Sequence, residues 1–218
     1  MLGKIFNSNK PKIFCISFQR TGTTSIGGFF KNYQYKVADY FTSKHNNWSL
    51  NWFSGNFEAI FESEDFQKCQ VFEDNPWWYQ DFYKYLFHKF PRAKFILFKR
   101  NPDKWFDSML SHSKGMSLGN THRHAHIYQR ENEFEEQFAG KNVYSEEIDN
   151  LLPISESLRS HYISIYNTRH AAIETFFKTF GKDRIIVCEL EDKDKWIKLG
   201  QFFNIAVDSS YDLHANKS

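Results

Sequence analysis

The stretch "FCISFQRTGTTSIGGFF", residues 14–30, sets an arginine, a glycine and several hydroxyl side chains between an apolar β-type run and an apolar helical pattern. A strand that turns at Gly22 into a helix presents unpaired backbone N–H groups and the positive end of the helix dipole. Such a turn binds phosphate-type anions. Arginine adds a forked, permanently charged set of donors, and hydroxyl groups add more. The predicted anion site consists of Arg20, Thr21, Gly22, Thr23, Thr24 and Ser25.

This loop differs from the ATP-binding pattern G-x-x-x-x-G-K-[ST]. In that pattern the lysine reaches the β- and γ-phosphates, and the hydroxyl group after it holds magnesium. Here Arg20 precedes Gly22, and no lysine follows the glycine. We therefore expect a site that binds its anion without a metal. The alternative is a glycine turn with a threonine helix cap and no ligand.

A second cationic segment is "FILFKRNPDKWFDSM", residues 95–109. Arg100 closes a strand-like run, and the two residues after it suit the start of a helix that also carries Ser108. Ligands of open α/β sheets bind at the carboxyl ends of the strands, so Arg100 and Ser108 predict a second anion pocket. The alternative is a surface arginine paired with Asp103 or Asp107.

Four short apolar runs, rich in β-branched and aromatic residues, predict the strands that position these segments. They are residues 12–18, 69–74, 94–100 and 184–190. Helical patterns are found at residues 24–31, 48–61, 78–90, 102–111, 155–180 and 196–203. The alternation predicts an α/β fold of three layers, with a central parallel sheet and helices on both faces. Right-handed crossovers then place all carboxyl ends of the strands at one edge.

Between residues 114 and 140 the periodicity weakens: a polar, glycine-containing stretch precedes a charged helical piece, and the segment is expected to be a mobile loop or lid. The three histidines of "HRHAH", His122, His124 and His126, could chelate a metal if this segment were extended. No carboxylate or cysteine completes a ligand set, so we expect a solvated loop and no metal. Trp48 or Trp52 could stack on a nucleotide base, although single aromatic residues at helical spacing more often pack in the core.

Composition limits the class of protein. The chain has 218 residues, of which 41% are hydrophobic and 19% aromatic, enough for one domain spanning residues 1–218 with a full core. Its net charge of +2, with acids and bases mixed, favours neither nucleic acid nor a membrane surface as partner. We expect a cytoplasmic protein, since neither a signal peptide nor a membrane span is recognisable. Cys15, Cys69 and Cys188 are expected to be buried thiols.

Two anion pockets at one sheet edge suit a nucleotide that carries a 5′ chain and a second phosphate on its ribose. The segments "QRTGTTSI", "FEDNPW", "FPRAKFILFKRNPDKWFDSM" and "DRIIVCELEDKDKWIKLGQFF" resemble the P-loop sulfotransferase superfamily. The likeness is to the branch with a P-R-T-G-T-T-S-L loop and a D-x-P segment. It covers nearly the whole chain and keeps the order of the motifs.

The resemblance implies a P-loop NTPase-like sulfotransferase fold. It also implies transfer of a sulfuryl group from 3′-phosphoadenosine 5′-phosphosulfate (PAPS) to a hydroxyl or amine of a small-molecule or glycan acceptor. Residues 20–25 match the family's 5′-phosphosulfate loop, and Arg100 with Ser108 matches its 3′-phosphate contacts. Asp74 matches the D-x-P position and is the expected base, with Glu73 as the alternative because only one of the pair can face the cleft. Asp74 could instead cap the helix expected after it.

Some positions depart from the family's pattern. Gln19 replaces a common proline, and Arg20 stands where many cytosolic relatives carry lysine. The glycine-rich basic motif near the end of many relatives is missing, and only Lys217 in "HANKS" remains. Two other classes of function stay open: a P-loop kinase or other phosphotransferase, and a catalytically inactive nucleotide-binding module.

Overall fold

The computed structural model describes residues 11–112, 122–138 and 152–215. The chain forms two compact units. The first consists of Met1–Lys99 with Gly181–Ser218, and the second of Arg100–Phe180. The single domain expected over residues 1–218 stays a prediction.

The first unit is built on a five-stranded, all-parallel sheet with the strand order β2-β3-β1-β4-β5. The strands are β1 Ile13–Cys15, β2 Val37–Ala38, β3 Val71–Phe72, β4 Lys94–Lys99 and β5 Ile185–Glu189. The parallel sheet predicted from the sequence is confirmed. The two-residue strand β2 was not predicted, because it is too short for a period-2 pattern to identify it.

The helices, in chain order, are α1 Thr23–Asn32, α2 Tyr40–His45, α3 Trp48–Phe53, α4 Phe57–Glu62, α5 Glu64–Lys68, α6 Phe82–Lys89, α7 Pro102–Ser111, α8 His122–Ile127, α9 Glu131–Phe138, α10 Arg159–Phe180 and α11 Lys195–Phe203. The helix predicted over residues 48–61 is in fact α3 and α4. The break falls at Gly55, whose φ of +73° is a left-handed conformation that glycine adopts readily.

Both faces of the sheet are covered by helices of the first unit, which confirms the three-layer arrangement. Because side chains alternate along a strand, Ile13 and Cys15 face α1 and α11, where they pack with Phe29 and Trp196. Phe14 points the other way, into an aromatic layer. Its ring lies near the rings of Phe66, Phe72, Trp77, Phe90 and Phe95. Aromatic rings bury large apolar areas, so this layer is a principal source of stability.

The two candidate base-stacking tryptophans lie in or beside this aromatic layer. Trp48 is fully buried, and its ring lies against that of Trp77 with centroids 5.3 Å apart. Its indole N–H donates to Ser63 Oγ (3.0 Å). Trp52 is partly buried and packs against Tyr79. Trp48 therefore packs in the core, which is the more frequent role of single aromatic residues at helical spacing.

In the second unit, α7 and α10 pack through aromatic residues. Trp105 and Tyr166 have ring centroids 4.4 Å apart, and the ring of Phe106 lies 5.8 Å from that of Tyr162. Arg159 at the start of α10 pairs with Asp103 and Asp107 of α7, among others. Exposed ion pairs of this kind add little stability each, so the apolar contacts hold the pair of helices together.

Of the segment 114–140, the structure describes residues 122–138, which contain α8 and, as the expected charged helical piece, α9; the role of the segment as a mobile loop or lid stays a prediction. The rest of that segment lies outside the described residues. All three histidines of "HRHAH" belong to α8, and on a helix the every-second spacing of His124 and His126 turns their side chains to different faces. His124 is buried, and His126 contacts Glu131 (2.6 Å). The solvated loop expected for these histidines is therefore replaced by a helix.

Candidate functional site

Two hydrogen bonds to β4 hold the residues that follow β1 in place. After Cys15 the Ile16 N–H donates to the Ile96 carbonyl oxygen (2.9 Å). The Phe98 N–H then donates to Ser17 Oγ (2.7 Å), so a serine side chain extends the pairing with β4 beyond the end of the strand. These bonds are buried and tie the start of the following turn to the sheet.

The turn itself depends on two left-handed residues on either side of Thr21. Arg20 has φ +66° and Gly22 has φ +89°. A Cβ atom at Gly22 would lie 2.7 Å from Leu190 Cδ1, so glycine is favoured there by both conformation and space. Thr21 is fully buried, and its hydroxyl donates to the Phe18 carbonyl oxygen. Its hydroxyl proton therefore closes the turn and is not offered to a ligand.

Helix α1 begins at this turn without a side-chain cap. Gly22 is the N-cap residue, and the first helical bond runs from the Ile26 N–H to the Gly22 carbonyl oxygen (3.0 Å). Within the described part of the chain, the N–H groups of Thr23, Thr24 and Ser25 have no hydrogen-bond acceptor. The threonine cap considered from the sequence is thus not formed, and the helix offers these donors and its dipole to an anion.

The side chains of this anion turn, residues 19–25, differ in exposure. Thr24 is exposed, Gln19 and Arg20 are partly buried, and Thr23 and Ser25 are buried. The predicted site residues 20–25 all lie in this turn and the first turn of α1, and their binding of an anion stays a prediction. We call residues 73–76, which follow the neighbouring strand β3, the acid turn.

Glu73 is the first residue of the acid turn, and its carboxyl group is buried. Its side chain is only 4% exposed and lies against Gly27 of α1, where a Cβ atom would be 3.0 Å from Glu73 Cγ. Burial, together with the nearby charges of Asp74 and Asp39, raises the pKa of Glu73 to about 8, while Lys31 opposes the shift. Oε2 of Glu73 has no hydrogen-bond partner among the described residues. At neutral pH this carboxyl is therefore mostly protonated.

Asp74 is less buried and sits in a different backbone conformation. Its φ is +71°, and its Oδ1 accepts a hydrogen bond from the Asn75 N–H (2.8 Å). The Asn75 side chain in turn accepts a bond from the Trp78 indole N–H (2.9 Å). The next α-helix starts only at Phe82, so Asp74 does not cap it. The acid turn holds the Asp74 carboxylate at the carboxyl end of β3.

Arg100 and Ser108, the second predicted pair, belong to the second unit. The Tyr166 hydroxyl accepts a hydrogen bond from the Arg100 N–H (2.8 Å) and donates one to the Arg100 carbonyl oxygen (3.0 Å). Asn101 caps α7 as expected, accepting bonds from two backbone N–H groups. Asp103 and Asp107, suggested as surface partners of Arg100, pair with Arg159.

The described residues contain neither a metal cluster nor a membrane-spanning helix. No three histidine, cysteine, aspartate or glutamate side chains there come close enough to hold a metal ion. Nor does any described helix have the length and apolar character needed to cross a bilayer. All three cysteines are free thiols; Cys15 and Cys188 are buried and Cys69 is partly buried. Burial raises the pKa of Cys15 to about 12, so its thiol stays protonated.

Comparison with known proteins identifies the class. The sequence model of the sulfotransferase domain family matches residues 12–216, and the chain therefore belongs to that family. A search of curated proteins found no match. Among solved structures, the crystal structure of a sulfotransferase from Alicyclobacillus acidocaldarius is similar, with a TM-score of 0.49 and 13% identity. The match covers 94% of this chain and 87% of that one.

Proposed function

We propose that this sulfotransferase-family protein transfers a sulfuryl group from PAPS to a hydroxyl or amine of an acceptor. The observation that supports the proposal most directly is that two turns of opposite chemical character follow the neighbouring strands β1 and β3. The anion turn offers Arg20 and three uncapped N–H groups, and the acid turn offers two carboxyl groups. A transfer that moves an anionic group and releases a proton needs both kinds of group.

The anion turn fits the phosphosulfate end of the donor. The N–H groups of Thr23, Thr24 and Ser25, with the exposed Thr24 hydroxyl, would hold its oxygens. Arg20 would neutralise the charge that develops on the oxygen bridging phosphorus and sulfur. Each well-placed donor of this type contributes on the order of 3 kcal/mol to the lowering of the barrier. Thr21 would shape the turn, and the family resemblance assigns the 3′-phosphate to Arg100 and Ser108.

The chemical step is an in-line displacement. The acceptor oxygen or nitrogen forms a bond to sulfur, the bond from sulfur to the bridging oxygen breaks, and 3′-phosphoadenosine 5′-phosphate (PAP) leaves. Such transfers pass through a loose transition state, so positioning and neutralisation of charge supply most of the acceleration. The acceptor's proton goes to a carboxylate of the acid turn.

We assign the proton acceptor to Asp74. It is partly exposed at the strand end, whereas Glu73 is buried against α1 and, with its pKa near 8, is mostly neutral at pH 7. A carboxyl that is already protonated cannot take a proton. Glu73 is the alternative at higher pH, where it is ionised and a stronger base.

A P-loop kinase is the main competing function. Its magnesium would need ionised carboxylates or hydroxyl groups beside the turn, and the raised pKa of Glu73 weakens that possibility. Thermal-shift titration distinguishes the functions. PAP should stabilise the protein without magnesium, since a ligand that binds only the folded state raises the melting temperature. Stabilisation by ATP with magnesium but not by PAP would establish the kinase instead, and no response to either would favour an inactive module.

The assignment of the 3′-phosphate has its own test. Arg100→Ala should weaken PAP binding by about tenfold or more while AMP binding changes little, because AMP lacks the 3′-phosphate. Isothermal titration of both nucleotides measures this. Equal losses for PAP and AMP would remove Arg100 from the proposed 3′-phosphate site and leave the role of the anion turn standing.

A further inference from the structure

The last described part of the first unit lies along helix α1. We call residues 211–215 the C-terminal strap. The Tyr211 hydroxyl accepts a hydrogen bond from Asn32 Nδ2 (2.9 Å) near the carboxyl end of α1. The Tyr211 ring meets the edge of Phe29 with centroids 5.7 Å apart. The strap therefore starts at the end of the helix that is remote from the anion turn.

The strap then runs toward the anion turn. A Cβ atom on Gly28 would lie 3.0 Å from Leu213 Cδ2, so Leu213 covers that glycine. Two residues later the Ala215 N–H donates to Ser25 Oγ (3.0 Å). From Asn32 to Ser25 the helix rises about 10 Å, and four extended residues span about 13 Å. The alternating contacts of residues 211, 213 and 215 thus fit an extended segment that runs antiparallel to α1.

The bond from Ala215 changes what Ser25 can do. A serine hydroxyl has one proton to donate and two lone pairs that accept. Here the oxygen accepts from the Ala215 N–H, while the hydroxyl proton has no acceptor among the described residues. Serine within a helix commonly donates back to a carbonyl one turn earlier, and Ser25 makes no such bond. Its proton is therefore left for a ligand at the first turn of the helix.

We propose that the C-terminal strap is part of the donor site, and that Ala215 positions the Ser25 hydroxyl to donate to the phosphate-type anion at the anion turn. The inference rests on the proposed function for the identity of that anion. Ser25 would touch the ligand, and Ala215 acts through it as a positioning residue. The strap accordingly orients a donor that belongs to the anion turn, from a position 190 residues further along the chain.

Ala215→Pro is the decisive variant, since proline lacks the backbone N–H but keeps the chain length. Ala215→Ser is its matched control, because the side chain is exposed and the N–H is retained. Ala215→Pro should weaken PAP binding by about tenfold, as measured by isothermal titration, while the loss of one hydrogen bond lowers the melting temperature of the ligand-free protein by only a few degrees. Ala215→Ser should bind PAP like the wild type.

Ser25→Ala, alone and combined with Ala215→Pro, tests whether the strap affects PAP binding through the Ser25 hydroxyl. If the strap acts through Ser25, the double variant should bind PAP no more weakly than the worse single variant. Independent, additive losses, or an Ala215→Pro protein that binds PAP normally, would overturn the inference.

Titration of the same proteins with pyrophosphate tests the role of the strap without assuming that the donor is PAPS. If the wild type binds pyrophosphate but not PAP, the assignment of the donor fails. The role of the strap then depends on whether Ala215→Pro binds pyrophosphate more weakly than the wild type does. Wild-type protein that binds neither anion would overturn both.

Discussion

The anion turn and the acid turn are built alike and charged oppositely. They follow β1 and β3, which pair with each other, and each contains a residue other than glycine in the left-handed conformation, Arg20 or Asp74. The first presents N–H groups and a guanidinium, while the second presents carboxyl groups. Groups of opposite charge type therefore lie at adjacent strand ends of one sheet, and the proposed function uses the first for the leaving anion and the second for the proton.

The contrast also shows that local structure, and not net charge, makes each site. The chain as a whole carries only +2. The anion turn gains its donors from an uncapped helix, and Glu73 gains its high pKa from burial against Gly27. Substitutions in the two turns test this division of roles.

Arg20→Ala should cause the largest loss. Removing the guanidinium leaves the charge on the bridging oxygen unneutralised, so kcat should fall by about 10³-fold. The rate of PAP release measures this, with the best acceptor from a panel of phenols, amines and sugars. Arg92→Ala, which removes an exposed arginine from the same unit, is the control and should keep full activity. A drop of less than about threefold in Arg20→Ala would remove Arg20 from the chemical step.

Asp74→Asn should lower kcat by about 10²-fold and leave PAP affinity within about threefold, because a general base acts on the acceptor and not on the donor. Glu73→Gln is the matched variant in the same turn. Comparing kcat of the two variants at pH 7 tests whether Asp74 or Glu73 accepts the proton. If Glu73→Gln loses more activity than Asp74→Asn, the roles within the acid turn are exchanged.

Glu73 should also make stability depend on pH. Its pKa is raised from 4.5 to about 8 by folding, so the folded state binds the proton more tightly than the unfolded state between those values. Stability from this group is therefore present below about pH 4.5 and is lost as the pH rises toward 8. The slope should approach about 1.4 kcal/mol per pH unit.

Urea unfolding of wild type and Glu73→Gln from pH 5 to pH 8 measures that slope. The neutral amide cannot ionise, so the free energy of unfolding of the variant should fall less with rising pH than that of the wild type. Parallel curves for the two proteins would mean that Glu73 titrates normally and is not confined by its surroundings.

The smallest effects are expected from two adjacent glycines of α1. Gly27→Ala pushes a methyl group against the Glu73 side chain and should destabilise the protein by about 1–2 kcal/mol. Gly28→Ala meets only the flexible end of Leu213 and should be near neutral, since alanine favours the helix. Melting temperatures compare the two. A larger loss from Gly28→Ala would show that the strap, and not the acid turn, packs more rigidly on the helix.

The sequence allowed the local features to be predicted. The anion turn, the cap of α7 at Asn101 and the parallel sheet all depend on residue types at short spacing, which propensities and caps describe. The assignments of site residues to PAPS remain predictions, because they concern a ligand and not the fold.

Features that depend on contacts between distant residues could not be predicted. The burial of Glu73 under Gly27 brings together residues 46 positions apart (73 − 27), and the bond from Ala215 to Ser25 spans 190. Helix α8 was also missed, because its histidine-rich sequence has a weak apolar period although Ala125 is buried, whereas the charged helical piece expected after it forms α9.

The contact between Gly22 and Leu190 has a consequence for biosynthesis. Gly22 lies near the start of the chain, and the leucine that packs on it lies just past the last strand. Domains are synthesised from the amino terminus at a finite rate, so the turn emerges from the ribosome long before its packing partner. Nascent chains stalled before Leu190 should therefore fail to retain PAP, and donor capture would begin only once translation has passed β5.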